Sequence, residues 1–372
     1  MRTSTRVARV ALLCLASAAA LAGAAGEGGY YRSADFARVA KIDAHVHVHG
    51  PGERFMALAA KDNFRILTIN VDYPDFEPIE RQLADAVSLR ARYPGRVAFA
   101  GAFAGAGFGE SGWQSAASRQ IDAALGAGAV GIKIWKNFGM SLRNADGSYV
   151  MPDDVRLAPL IARLERDGVV LLGHLAEPRN CWLPFDEMTV RSDRDYFREH
   201  PQYYMYQHPE MPSHEAILAA RDRMLAAHPA LKFDAVHLAS LEWDVDEVAD
   251  FLERFPGARV DTAARIVHLE YQAVKDPGKV RRFLIRYQDR ILYGSDEAWG
   301  PKDDDPAAAR EVDAAWRSDW RFLATTEEMY SPDFPGTFRG LHLPRGVIDK
   351  IYRQNARALF RNAGWRVEGP PN

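Results

Sequence analysis

Cysteine is nearly missing from this chain. Cys14 and Cys181 are the only two in 372 residues, so no disulfide framework can hold the fold and stability has to come from a buried apolar core. Charge of one sign is missing too: 47 Lys and Arg stand against 50 Asp and Glu, interspersed along the chain, for a formal net charge of −3. Nothing in this balance suggests a nucleic-acid or membrane-surface partner. Beyond the amino terminus no apolar run approaches the ~20 residues of a membrane span, so the mature chain is expected to have none. There is no low-complexity tract, no short-period repeat, and no glycine-rich turn of the dinucleotide-binding kind.

The one apolar run lies at the start. Arg2, Arg6 and Arg9 precede a stretch of about 16 residues, mostly alanine and leucine, that ends near Ala22-Gly23-Ala24, the pattern of a secretory signal with a small-residue cleavage site. We expect residues 1–25 to be that signal and residues 26–372 to form one domain, exported to the periplasm or secreted. Cys14 lacks the small residue before it that a lipoprotein box requires, because Ala11-Leu12-Leu13 precede it. Cys181 is then the mature chain's only thiol.

What fills the rest is alternation. Short β-branched and apolar runs at 41–49, 65–71, 96–103, 130–135, 169–174, 232–237, 258–261 and 290–296 are separated by helical patterns, among them 77–92, 115–125 and 153–166. Eight strands spaced by helices predict an α/β fold, a single (β/α)8 barrel, rather than an open doubly wound sheet. Two connections are long for such a barrel: 175–213 after strand five and 297–343 after strand eight. Both are rich in aromatics, which we expect to wall or cover a substrate cleft at the C-terminal mouth. A last helix over 346–360 is expected to cover the outside of the barrel.

The strand ends are polar where a buried parallel strand should be apolar. In Lys41-Ile42-Asp43-Ala44-His45-Val46-His47-Val48-His49, strict alternation would send Ile42, Ala44, Val46 and Val48 one way and Asp43, His45, His47 and His49 the other. His45 and His47 would then stand side by side, able to reach one ion at about 2.0–2.1 Å. Lys133 lies near the end of strand four, His174 ends strand five, His237 strand six and Asp296 strand eight. Alternation turns Ile132 and Ile134 outward and Lys133 with Trp135 inward, so Lys133, unlike Lys136, is expected to reach the site. Taken singly, each histidine could be a hydrogen-bonded rim residue and Lys133 could merely pair with Asp261. Five polar strand ends of types that metals prefer point to a common centre.

Asp-x-His-x-His on strand one, single histidines after strands five and six, Gly294-Ser295-Asp296 after strand eight and the closing motif Ile351-Tyr352-Arg353-Gln354-Asn355-Ala356-Arg357-Ala358-Leu359-Phe360 resemble the amidohydrolase superfamily. The similarity is to its amidohydrolase-related branch, which holds metal-dependent hydrolases, decarboxylases and hydratases. The resemblance implies a divalent metal on His45, His47, His174 and Asp296, with His237 as a second-metal ligand or as the base beside a single metal. Lys133 would be either a carboxylated bridge between two metals or a substrate-binding cation. Two departures stand out: Leu238-Ala239-Ser240 follow His237 where relatives often carry glycines, and Glu297-Ala298-Trp299 follow Asp296 where a proline is common.

An imidazole-rich set with one carboxylate suits Zn2+, one or two per chain, with Mn2+ as an alternative. Asp296 would accept the proton of a metal-activated water and His237 would polarise the scissile carbonyl, both as catalytic residues. Asp43, Arg179, Asp261 and Arg265 are candidates to support the ligands or bind substrate. The expected function is metal-dependent hydrolysis of an amide, ester or lactone in a small organic molecule. Non-oxidative decarboxylation or hydration on the same fold is the alternative, and a non-catalytic binding barrel a third. The only partner implied is the substrate, with self-association into a homo-oligomer left open.

Overall fold

The computed structural model describes residues 29–302 and 304–366. The expected signal, 1–25, lies outside the described residues. Parallel strands β1 (Lys41–Val48), β2 (Phe64–Ile69), β3 (Val97–Ala102), β4 (Gly131–Ile134), β5 (Val170–Gly173), β6 (Phe233–Ala235), β7 (Ala258–Asp261), β8 (Ile291–Leu292) and β9 (Glu297–Trp299) form one sheet in the order β8-β7-β6-β5-β4-β3-β2-β1-β9. The last barrel strand is thus in two pieces, with Tyr293 to Asp296 between them. These four residues close the ring: the Ala44 N–H donates to the Tyr293 carbonyl at 2.9 Å and the Asp296 N–H to the His45 carbonyl at 2.8 Å. β9 then runs beside β1, pairing Val46 with Glu297 and Val48 with Trp299. The α/β barrel with long insertions after strands five and eight is the architecture anticipated from the sequence.

Two apolar layers hold it. Ile42, Ala44, Leu67, Ile69, Ala98, Ala100, Leu172 and Leu292 fill the barrel interior. Val46, Val48, Phe64, Ile66, Val97, Ile132 and Ile134 face the surrounding helices, among them Glu53–Lys61, Ile79–Arg92, Trp113–Gly126 and Ala158–Asp167. A parallel strand covered on both faces needs such continuous apolar runs. The terminal helix does more than cover the outside. Its first part, with Val347, Ile348 and Ile351, joins the outer layer, whereas Ala356, Leu359 and Phe360, with Ala363 and Trp365, join the interior layer. Trp365 Nε1 donates to the Ile66 carbonyl at 3.2 Å. The helix changes character at a π turn, Lys350–Gln354.

The second insertion departs from expectation. Its long helix Pro306–Ala324, capped by Asp305 on Ala307 and Ala308, buries Trp316 and Trp320 completely. Trp316 stacks on Phe64 with ring centroids 4.2 Å apart, and Trp299 packs on Phe55. Phe334 and Phe338 belong to the same core, Phe338 on β11 (Thr337–Arg339) of a hairpin with β10 (Glu328–Tyr330). These aromatics bind the insertion to the barrel rather than wall a cleft. No helix among the described residues is long and apolar enough to cross a membrane.

Candidate metal centre

The centre begins with an irregularity in β1. Its register against β2 shifts between Asp43 and Val46, and the simple alternation expected for 42–49 breaks there. Ile42 and Ala44 point into the barrel, and so do His45 and His47. Asp43 turns instead toward the outer helix, where its Oδ2 accepts from Trp316 Nε1 at 2.9 Å and from Ser295 Oγ at 2.6 Å. Its Oδ1 accepts from the backbone of Ser295 and of His45. Asp43 therefore pins the two backbone segments that carry ligands and holds no histidine ring or lysine. Burial raises its carboxyl to about 7.

His45 and His47 meet Asp296 from the other side of the seam. His45 Nε2 lies 3.2 Å and His47 Nε2 3.3 Å from Asp296 Oδ1. Asp296 sits at φ +72°, a backbone turn that aims its side chain back across the barrel mouth. Gly294 makes the approach possible, since a Cβ there would stand 2.7 Å from that of His45.

Each ring is oriented through its far nitrogen. His45 Nδ1 bonds Asp261 Oδ2 at 2.6 Å, His47 Nδ1 the Ile69 carbonyl at 2.8 Å, and His237 Nδ1 the Ala263 carbonyl at 2.9 Å. A carbonyl can only accept, so Nδ1 of His47 and of His237 carries a proton, which leaves Nε2 of each ring directed to the centre. The ionised Asp261 fixes His45 in the same way. Burial lowers the pKa of His45, and lowers those of His174 and His237 well below the usual imidazole value, which keeps these rings neutral. Burial pushes the Asp296 carboxyl up, and any positive charge on His237, His45 and His47 around it holds it well below its usual range.

Lone pairs and a carboxylate oxygen that converge without a proton between them fit a cation. His174 adds to the fit: its ring centroid is 4.2 Å from that of His237, and its Nε2 is buried without a hydrogen-bond partner. His45, His47 and Asp296 also have ligand atoms close enough together to share one ion. The donor set, neutral imidazoles plus one carboxylate, is that of a divalent first-row metal.

His237 opens a run of strain. His237, Leu238, Ala239 and Ser240 all adopt positive φ, from +53° to +61°, the left-handed region that favours glycine. Left-handed backbone disfavours L-residues by roughly 1–2 kcal/mol each. The turn is held from several sides. Asp261 Oδ1 accepts from the His237 N–H at 2.6 Å, Ser240 Oγ donates to the Ala176 carbonyl at 2.8 Å, and Arg221 donates to the Ala239 carbonyl. Asp261, fully buried at the end of β7, thus orients His45 and anchors the His237 turn together, and it is not placed to recognise substrate.

Lys133 is buried, its Nζ 3.4 Å from His45 Nε2, and burial lowers its pKa to about 8. Arg265 is buried close enough to His174 and His237 for its charge to lower both, with Nε unpartnered. Arg179 is elsewhere. Its guanidinium lies over Trp243 at 5.2 Å, exposed, and does not line the cleft.

The centre floors a cleft of about 300 Å³ lined by His47, His174, His237, Asp296, Lys133 and Lys136, with Tyr73, Phe76, Trp135 and Tyr196 as aromatic wall. Of the first insertion's aromatics only Tyr196 lines it. Phe197 and Tyr204 are buried, and Trp182 packs on His214. Lys136 was expected to point away, but strand β4 ends at Ile134, so alternation no longer governs it. Tyr73 and Phe76 belong to the loop after β2. Both follow the apolar run directly, and that position was the one signal available for them.

A parallel (β/α)8 barrel with an imidazole–carboxylate cluster at its C-terminal mouth defines the class of metal-dependent barrel enzymes. The chain belongs to the amidohydrolase family: the model of the amidohydrolase-2 branch matches residues 42–361. Among solved structures, an uncharacterised TIM-barrel protein from Bordetella bronchiseptica is 15% identical, with TM-score 0.53, covering 88% of this chain and 100% of its own. A 2,6-dihydroxybenzoate decarboxylase bound to 2,6-dihydroxybenzoate is 14% identical (TM-score 0.48; 87% and 98% covered). The 4-oxalomesaconate hydratase of Rhodopseudomonas palustris is 12% identical (TM-score 0.42; 87% and 96%). No curated protein sequence matches the chain.

Proposed function

We propose that this chain is an exported hydrolase that uses one divalent metal ion, zinc or a similar first-row ion, to cleave an amide, ester or lactone in a small organic substrate. The observation that carries this reading is the convergence of His45 and His47 Nε2 on Asp296 Oδ1, within 3.3 Å, at the floor of a cleft. His45, His47, His174 and Asp296 would hold the ion. When bound, it supplies Lewis acidity and brings the pKa of water to about 7. Asp296, ionised, accepts the proton of the attacking water and passes it to the leaving group. His237, neutral and fixed through Nδ1, presents its bare Nε2 to the cleft as a proton acceptor and has no proton there to donate to the scissile carbonyl. Lys133 donates to oxygen where negative charge develops. Tyr73, Phe76 and Trp135 exclude water from the substrate body.

Non-oxidative decarboxylation or hydration is the rival, favoured by one observation: Lys133 lies in the same cleft as His237, so a cation for a substrate carboxylate stands near an acid–base group. The test is elemental analysis of the purified protein followed by turnover of an amide, ester and lactone panel, with CO2 release from aromatic acids measured in parallel. His174→Ala and Asp296→Asn should each abolish metal-dependent turnover while leaving the far-ultraviolet circular dichroism unchanged. Near-wild-type activity in either variant would overturn the assignment.

A further inference from the structure

One group on the wall of the cleft has no part in the chemistry above. Lys136 is buried, and its ammonium lies over three aromatic faces: Tyr203 at 4.7 Å, Trp135 at 5.2 Å and Tyr196 at 5.9 Å. Glu177 is its one hydrogen-bonded acceptor among the described residues. An ammonium carries three donors, so two remain, and the residue lines the cleft. Glu177 is itself buried, with its other oxygen 3.8 Å from His174 Nε2. A lysine held by aromatic faces and a buried carboxylate loses little freedom when a ligand arrives, and in a water-poor site its remaining donors bind an anion strongly.

The rest of the wall describes the body of that ligand. Tyr73 stands edge-on to Trp135 at 5.3 Å and to Phe76 at 5.0 Å, an apolar surface suited to a flat ring.

We propose that Lys136 is the specificity-determining residue of this cleft, binding the carboxylate of a small planar substrate, and that Glu177 is a positioning residue that holds Lys136 in place. This rests on the metal-dependent reading of the same cleft. The substrate is then an organic acid.

The test compares benzoate with benzamide, equal in shape and different in charge, by titration calorimetry on the metal-replete protein, with metal content measured on each sample. Wild type should bind benzoate about tenfold more tightly than benzamide, the scale of one charge-assisted contact. The preference should vanish in Lys136→Met and return in Lys136→Arg. Because Lys136→Met strands a buried carboxylate, the double variant Lys136→Met/Glu177→Gln, which leaves neither charge, is measured alongside and should lack the preference with metal content unchanged. A preference for benzoate that persists in the double variant places the anion on the metal centre and overturns the proposal; equal affinities in wild type overturn it as well. Failure of the metal-dependent reading shows separately, as protein that retains no metal.

Discussion

One carboxylate, Asp261, holds His45 by a 2.6 Å bond to Nδ1 and takes the backbone N–H of His237 on its other oxygen, also at 2.6 Å. Both rings depend on it for direction. Asp261→Asn keeps the size and the hydrogen bond to the His237 backbone, but an amide cannot be the anionic acceptor that fixes the His45 tautomer. Metal affinity should fall by about 10- to 100-fold, the usual effect of losing such an outer partner. Competition with a chelator of known affinity measures it, and an unchanged dissociation constant would refute the role.

Gly294 is predicted to be intolerant of even one methyl group. A Cβ at that position would stand 2.7 Å from the Cβ of His45 and 3.3 Å from that of Ala263. Gly294→Ala should destabilise the protein by about 1–3 kcal/mol, as overpacking does, and should lower metal content by displacing His45. Urea denaturation and elemental analysis read the two effects separately.

Metal stoichiometry decides the part played by Lys133. With one ion per chain and Lys133 as a donor beside His45, Lys133→Ala leaves the metal content near one per chain and lowers turnover. A fall to half the wild-type content would instead show a lysine-bridged pair.

His214 lies between Trp182 and Trp243, with ring centroids 4.9 and 5.2 Å away, and burial lowers its pKa to about 4. An unfolded histidine titrates near 6.5, so between these values the unfolded state binds the extra proton. Stability present above pH 6.5 is therefore lost as the pH falls through 4. The linked loss is on the order of 3 kcal/mol. In the metal-free protein, the wild type should lose about that much more than His214→Phe between pH 7 and pH 4. Parallel slopes in urea midpoints would contradict this.

Much of this was legible in the sequence, for a physical reason. Strands buried on both faces leave apolar runs, and a polar residue at the end of such a run stands out, which is how His174, His237 and Asp296 were located. The direction of Asp43 was not legible, because a bulge shifts alternation by one residue and leaves no mark in composition. The direction of Lys136 was not legible for a related reason: period-two alternation holds only as far as Ile134, the last residue of β4. Trp316 and Trp320 show a third kind of limit. A buried tryptophan that binds an insertion to its barrel and one that walls a cleft have the same one-letter code, and only packing separates them. Glu177 carried no signal, since its partners come from different loops.

The ring of strands is sealed between the first and the last, and the ligands straddle that seal: His45 and His47 on one side, Asp296 on the other. They are some 250 positions apart, so their meeting carries the entropy of closing a long loop. The complete ligand set does not exist before then. An ion held by all three of them would therefore bind only after ring closure, and would act as a rivet across the joint.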